Sequence, residues 1–182
     1  MNFANKISVF RILSVPFFIA SLHYAHELEY LRIVALGIFV LAVISDAVDG
    51  YIARRSKQQS RAGAILDPLA DKLLLVSAFV YLSFAGEFPF WLVLIIITRD
   101  IVIVIGTVVI YMVKQNINIV PSRWGKLTTT FQMSAVIAAL LELPYGPLFW
   151  FLAAAFTAIS GFDYLRRGLA VLYAVDNPRN NT

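Results

Sequence analysis

Polar residues along this chain come in short groups that separate long apolar stretches. The run "IVALGIFVLAVIS" at 33–45, for example, gives way at once to "DAVDGYIARR". An α-helix needs about 20 mostly apolar residues to cross the hydrocarbon of a bilayer. On that measure the apolar runs predict six crossings, near 7–24, 31–53, 64–84, 89–112, 123–142 and 146–172. The polar groups "HYAHELEY", "RRSKQQSRAG", "AGEFP", "KQNINIVPSRWGK" and "ELPYG" are the expected connections, and no internal repeat interrupts the series. The expected architecture is all-α: an integral membrane bundle of six transmembrane helices, forming one domain over 1–182. The N-terminal "MNFANKISVFRILSVPFFIASLHYA" lacks a small-x-small cleavage site, and Arg11 breaks its apolar run, so it reads as an uncleaved first helix.

Composition strengthens this picture. Hydrophobic residues make up 60% of the chain and charged residues 14%, against about 25% charged in soluble domains. Cysteine is absent, which excludes disulfides, thiolate metal sites and cysteine nucleophiles. The net charge of +4 fits membrane orientation and anionic lipid better than nucleic acid, and no nucleic-acid partner is expected. Lys6, Arg11, Arg54, Arg55, Lys57, Arg61, Lys114, Arg123, Lys126, Arg166, Arg167 and Arg179 all fall on one side of a six-crossing arrangement. The other side holds Glu27, Glu29, Glu87 and Glu142, with Arg32 as its basic residue. The lysine and arginine bias places both termini in the cytoplasm.

The charges at the end of the second run need an explanation. Asp46 and Asp49 are three apart and share a helix face, with Gly50 and Ala53 on that same face. Small residues there let a backbone or a ligand come close. Beyond the basic loop stand Gly63, Asp67 and Asp71, spaced by four. A helix through all three would put them on one face; alternatively Asp67 caps a helix that begins at Pro68. A carboxylate at the bilayer centre costs about 3 kcal/mol, and four together repel one another. Capping explains one aspartate at a helix end, not four at these spacings. Oxygen ligands without histidine or cysteine suit Mg²⁺, Mn²⁺ or Ca²⁺. Four carboxylates could hold two such ions about 4 Å apart and clamp a phosphoryl group. A cation or proton pathway is the rival reading. The confinement of the cluster to one membrane face argues against it.

The full string is Asp46-x2-Asp49-Gly50-x2-Ala53-Arg54-x8-Gly63-x3-Asp67-x3-Asp71. It resembles, position for position, the signature of the CDP-alcohol phosphatidyltransferase family. "NKISVFRILSVPFF" and "PSRWGKLTTTFQ" are similar to other segments of that family, so the resemblance covers nearly the whole chain. It implies a six-helix membrane fold that displaces CMP from CDP-diacylglycerol with an acceptor hydroxyl, at the cytosolic face and with divalent metal. It further implies that Asp46, Asp49, Asp67 and Asp71 bind metal, two Mg²⁺ or Mn²⁺ ions being expected. Asp71 would also be the general base, and Asp49, Gly50, Ala53, Arg54 and Gly63 would line the CDP site. A planar guanidinium such as that of Arg54 suits a diphosphate because it can engage two oxygens. The sequence has no Ser/His/Asp constellation and no P-loop.

A second basic group bears on the acceptor. Arg99 and Asp100 fall mid-way along the fourth apolar run, and an intramembrane arginine faces a cavity or a partner. One reading is a structural ion pair with an aspartate on another helix. The other is an anion site formed by Arg99, Arg123 and Lys126 for a phosphorylated acceptor, with glycerol 3-phosphate the first expectation. The family branch that uses it usually has Gly-Lys-x-Lys-Thr, whereas this chain has Gly125-Lys126-Leu127-Thr128-Thr129. That departure, and Arg99-Asp100 where Arg-Glu is usual, are shared with members whose acceptor is phosphatidylglycerol, the first alternative; another CDP-alcohol reaction, such as one with inositol phosphate, is the next. The aromatic groups "FPFW" and "LFWF" read as interfacial belts, and Gly106 and Gly161 as helix-packing positions. Membrane lipids are expected partners, and the family resemblance allows a homodimer.

Overall fold

In the computed structural model the backbone is described over residues 3–56, 63–114 and 123–176, and side chains over 9–46, 48, 70, 72–106 and 124–168. Six α-helices follow in order: α1 Phe3–Tyr24, α2 Tyr30–Ser56, α3 Gly63–Phe84, α4 Phe90–Lys114, α5 Arg123–Leu140 and α6 Gly146–Asp176. No strand occurs among the described residues. The six predicted runs correspond one to one with these helices. Among the described residues, Gly146–Gly168 of α6 is the one stretch long and apolar enough to cross a membrane on its own merits; Val9–Tyr24 and Lys72–Phe84 are apolar but shorter.

The chain divides into two compact units, Met1–Phe88 with Val136–Gly146, and Pro89–Ala135 with Pro147–Thr182. In the first, α1 packs along both α2 and α3. Arg11, Ser14, Phe18 and Leu22 form the buried stripe of α1, at the spacing a helix face requires. Ala35, Ala42 and Ala78 are buried too and let neighbouring elements approach closely. Phe18 meets Phe39 with ring centroids 5.8 Å apart. The turn after α3 is closed by Gly86, whose φ of 80° is open to glycine. Amides of Glu87 and Phe88 donate back to the Leu82 carbonyl, and Phe88 stacks on Phe79 at 5.0 Å.

The second unit is built from α4, α6 and most of α5. Its core mixes Leu92, Val93, Ile96, Ala135, Ala153 and Ala154 with the buried polar residues Arg99, Thr128, Gln132, Thr157 and Ser160. Those polar groups are joined to one another and to backbone. Gln132 Nε2 donates to Thr157 Oγ1 at 3.0 Å, and the Thr157 hydroxyl donates to the Ala153 carbonyl. Of the two aromatic groups, Trp150 stacks on Phe151, and Trp91 meets Trp150 edge-on and Phe151 at a tilt. Gly161 is a packing position, since a Cβ there would lie 3.5 Å from Arg99 Cγ. A Cβ at Gly106 would meet nothing within 4 Å among the described residues.

Candidate active site

The last turns of α2 carry Asp46, Asp49, Gly50, Ala53 and Arg54, and the first turns of α3 carry Gly63, Asp67 and Asp71. Because α3 begins at Gly63, Asp67 lies within the helix and does not cap it at Pro68. Positions 63, 67 and 71 therefore fall on one stripe of α3, as the spacing of four predicts. Of these side chains Asp46 is described. Those of Asp49, Gly50, Ala53, Arg54, Gly63, Asp67 and Asp71 lie outside the described residues. Among the described residues no three His, Asp or Glu side chains gather as a metal-binding group.

Asp46 has a partner the sequence reading passed over. Arg11 of α1 is 1% exposed, and its Nη1 stands 2.7 Å from Asp46 Oδ1, while Asp46 itself is 39% exposed. The carboxylate is thus held on its inner side and open on its outer side. Arg11 Nε and Nη1 are both buried with no hydrogen-bond partner among the described residues, so the Asp46 contact is an ion pair and not an aligned hydrogen bond. The signal for Arg11 was in the sequence. An arginine inside "VFRILSVPFF" meets the criterion applied to Arg99, yet it was grouped with the N-terminal positive charges.

Arg99 is 9% exposed. Its Nη1 donates to Asp100 Oδ1 and its Nη2 to Ser160 Oγ, each at 2.8 Å. The guanidinium carbon stands 5.9 Å from the centre of the Tyr164 ring, within cation–π range. Among the described residues, the ion pair is with the adjacent Asp100 and not with an aspartate on another helix. Lys126 is exposed on α5, and Arg123 lies outside the described side chains. Thr128, the position where a second lysine is usual, is fully buried. Its hydroxyl is shared between the Trp124 and Phe156 carbonyls, both at 2.9 Å. Position 128 thus ties α5 to α6 in this chain and is no place for a phosphate-binding cation.

A different charged group forms at the start of α2. Arg32 Nε donates to the Leu140 carbonyl at 3.0 Å and Nη2 to the Ala139 carbonyl at 2.7 Å. Its Nη2 also lies 2.8 Å from Glu87, and its Nη1 lies 3.0 Å from Glu142. A cavity of about 430 Å³ borders this group, lined also by His26, Glu27, Glu29 and Tyr81. Burial pushes the Glu87 carboxyl above its ordinary range, against the pull of Arg32.

The model of the CDP-alcohol phosphatidyltransferase family matches residues 1–160. The chain belongs to that family. The match spans the eight-position signature and the Arg11–Asp46 pair alike, and makes this chain an enzyme of the phosphatidyltransferase class. The chain is similar, at 37% identity over 177 residues, to a probable phosphatidylglycerophosphate synthase of Mycobacterium tuberculosis, covering 92% of this chain and 82% of that one. A CDP-diacylglycerol–glycerol-3-phosphate 3-phosphatidyltransferase of Haemophilus influenzae is 35% identical over 138 residues, covering 74% and 73%. The Bacillus subtilis protein of the same name is 30% identical over 189 residues, covering 94% and 97%.

Proposed function

We propose that this phosphatidyltransferase moves the phosphatidyl group of CDP-diacylglycerol to a hydroxyl of glycerol 3-phosphate, giving phosphatidylglycerophosphate and CMP. The observation that carries the reading is the complete aspartate signature at the facing ends of α2 and α3, in a chain whose relatives bear that substrate pair in their names. The six helices cross the cytoplasmic membrane with both termini and the signature on the cytoplasmic side. Lipid-facing packing explains why Phe84 and Phe162 are 83% and 71% exposed, since isolated soluble domains rarely leave many such side chains in water.

In this reading Asp46, Asp49, Asp67 and Asp71 hold divalent metal, Mg²⁺ or Mn²⁺. The donor set fits: hard oxygens only, with the described Asp46 carboxylate open on one side. The bound ions would neutralise the diphosphate and the departing CMP. Arg54 engages the diphosphate through its planar donors, and Gly50, Ala53 and Gly63 leave room for the nucleotide. Asp71 accepts the proton of the acceptor hydroxyl. That oxygen forms a bond to the phosphorus carrying diacylglycerol, and the bond from this phosphorus to the CMP oxygen breaks. Lys126 and Arg123, three apart at the start of α5, supply charge for the acceptor phosphate, with Arg99 behind them in sequence. A small dianion has few apolar contacts to offer, so its affinity comes mostly from charge-assisted hydrogen bonds, each about 1.5–3 kcal/mol.

The test gives purified enzyme CDP-diacylglycerol with each acceptor separately and identifies the lipid product. Phosphatidylglycerophosphate is expected, with Lys126→Ala raising the KM for glycerol 3-phosphate at least about tenfold. Cardiolipin from phosphatidylglycerol, with no product from glycerol 3-phosphate, would transfer the assignment to the other acceptor. In that case the buried Thr128 was the informative departure.

A further inference from the structure

We infer that Arg11 is a positioning residue for Asp46: its buried guanidinium fixes the carboxylate that the proposed function assigns to the metal, and the inference rests on that assignment. Arg11 occupies a core position on α1, in register with Phe18 and Leu22 on the buried stripe. A charge there is not needed for stability. Replacing a buried ion pair by well-packed apolar groups is often neutral or stabilising. What the guanidinium supplies is direction. It approaches Asp46 Oδ1 at 2.7 Å from the protein side, and the side chain of Asp46 keeps 39% of its surface on the other. Rotation of the carboxylate away from Arg11 would strand a 99% buried cation, since Arg11 is 1% exposed, and an unpaired buried charge is costly. One oxygen is therefore held by the guanidinium, while the Asp46 side chain as a whole stays 39% exposed.

Arg11 is carried by a helix packed on both sides of the signature. Its helix packs on α2, which bears Asp46, and on α3, which bears Asp67 and Asp71. The Ser14 hydroxyl donates to the Arg11 carbonyl at 2.7 Å. The pair thus ties the middle of α1 to the first member of the signature. Groups that hold metal-ligating carboxylates in place typically carry 10–100-fold of metal affinity or activity.

The sign of the effect separates positioning from simple charge. A nearby cation repels a metal ion, so by charge alone its removal would tighten metal binding. By positioning, its removal loosens it. The experiment measures Mn²⁺ binding to the purified full-length protein by the electron paramagnetic resonance signal of free Mn²⁺, for wild type, Arg11→Met, Arg11→Lys and Asp46→Asn. Metal activation curves and acceptor KM are measured alongside. Arg11→Met is expected to weaken Mn²⁺ binding by about 10–100-fold and raise the half-activating metal concentration in step, with the acceptor KM unchanged. Arg11→Lys, which keeps charge but loses the fork, recovers part of the loss. Unchanged or tighter Mn²⁺ binding by Arg11→Met overturns the inference. Should Arg11→Met fail to fold, Arg11→Lys decides alone: weaker binding by more than about threefold supports positioning, and an unchanged constant rejects it. Asp46→Asn separates the two levels. If it binds Mn²⁺ like wild type, the metal role of Asp46 is wrong and the inference falls with it. If it loses binding while Arg11→Met keeps it, the metal reading stands and this inference alone fails.

Discussion

Arg11 and Arg32 belong to the same unit and spend their donors in opposite ways. Arg32, 21% exposed, meets the Ala139 and Leu140 carbonyls and the Glu87 and Glu142 carboxylates. The carbonyls are at the end of α5, where helix geometry leaves acceptors short of partners. Glu142 holds a left-handed φ of 51°, a conformation that costs a non-glycine residue about 1–2 kcal/mol. Arg32 thus gathers a helix end, a strained turn residue and the α3–α4 turn. Arg11 is more deeply buried and has one carboxylate within reach among the described residues, with its Nε unspent. A cation with every guanidinium nitrogen matched to a protein acceptor stabilises. A deeper one that meets a single carboxylate, itself part of a signature, directs.

The reaction offers the sharpest test of that contrast, because the directed carboxylate belongs to a set that ends at Asp71. Asp71→Asn in folded, purified protein is expected to lower CMP release by at least about a hundredfold, the low end for a lost general base. Near-normal turnover would remove Asp71 from that role and leave Arg11 directing a carboxylate with no reaction to serve. The Arg11→Met variant comes next, its expected 10–100-fold effect falling on metal affinity rather than on the acceptor.

Arg32→Met should separate stability from activity in the other direction. Losing charge-assisted bonds to two carbonyls and two carboxylates should cost about 2–4 kcal/mol, read as a lower Tm or denaturant midpoint. CMP release measured below the new Tm should stay within about threefold, since Arg32 lies 14 residues before Asp46 on α2, roughly 21 Å along the helix. A large loss of turnover with an unchanged Tm would contradict the contrast.

The sequence made six helices legible because apolar runs of membrane length and polar connectors are one-dimensional features. The aspartate signature was equally legible, since residues three or four apart on a helix fix their own relation. Asp67 was ambiguous because proline after it permits either a cap or an interior position; α3 begins four residues earlier, and tertiary context decided that. That Arg11 needs a partner was legible, but which partner was not. Its partner is 35 positions away, and the local pattern assigns an arginine near a terminus to orientation. Thr128 misled for the same reason. Its absent charge was visible, whereas its hydrogen bond to Phe156 depends on how α5 and α6 pack.

The smallest effect concerns Glu87, a partner of Arg32 whose carboxyl is shifted upward by burial. Burial raises its carboxyl above the ordinary 4.5, Arg32 opposes that shift by attraction and hydrogen bonding, Glu142 adds to it, and His26 opposes it weakly. The net direction is upward, so the folded protein holds this proton at a pH where the unfolded chain has released it. Stability from this group is then complete below the unfolded value of about 4.5 and declines as pH rises through the folded value. Glu87→Gln keeps an oxygen for Arg32 and removes the titration. Melts at low ionic strength should superpose at pH 4, and the variant should gain on wild type as pH rises to 7. Parallel curves, or a variant that loses ground with pH, would mean that ionised Glu87 is a net support for Arg32. The outcome also apportions the Arg32 group. A variant that gains leaves the carbonyls of α5 and the carboxylate of Glu142 as what Arg32 stabilises, and leaves Glu87 as a group tolerated for its position in the turn.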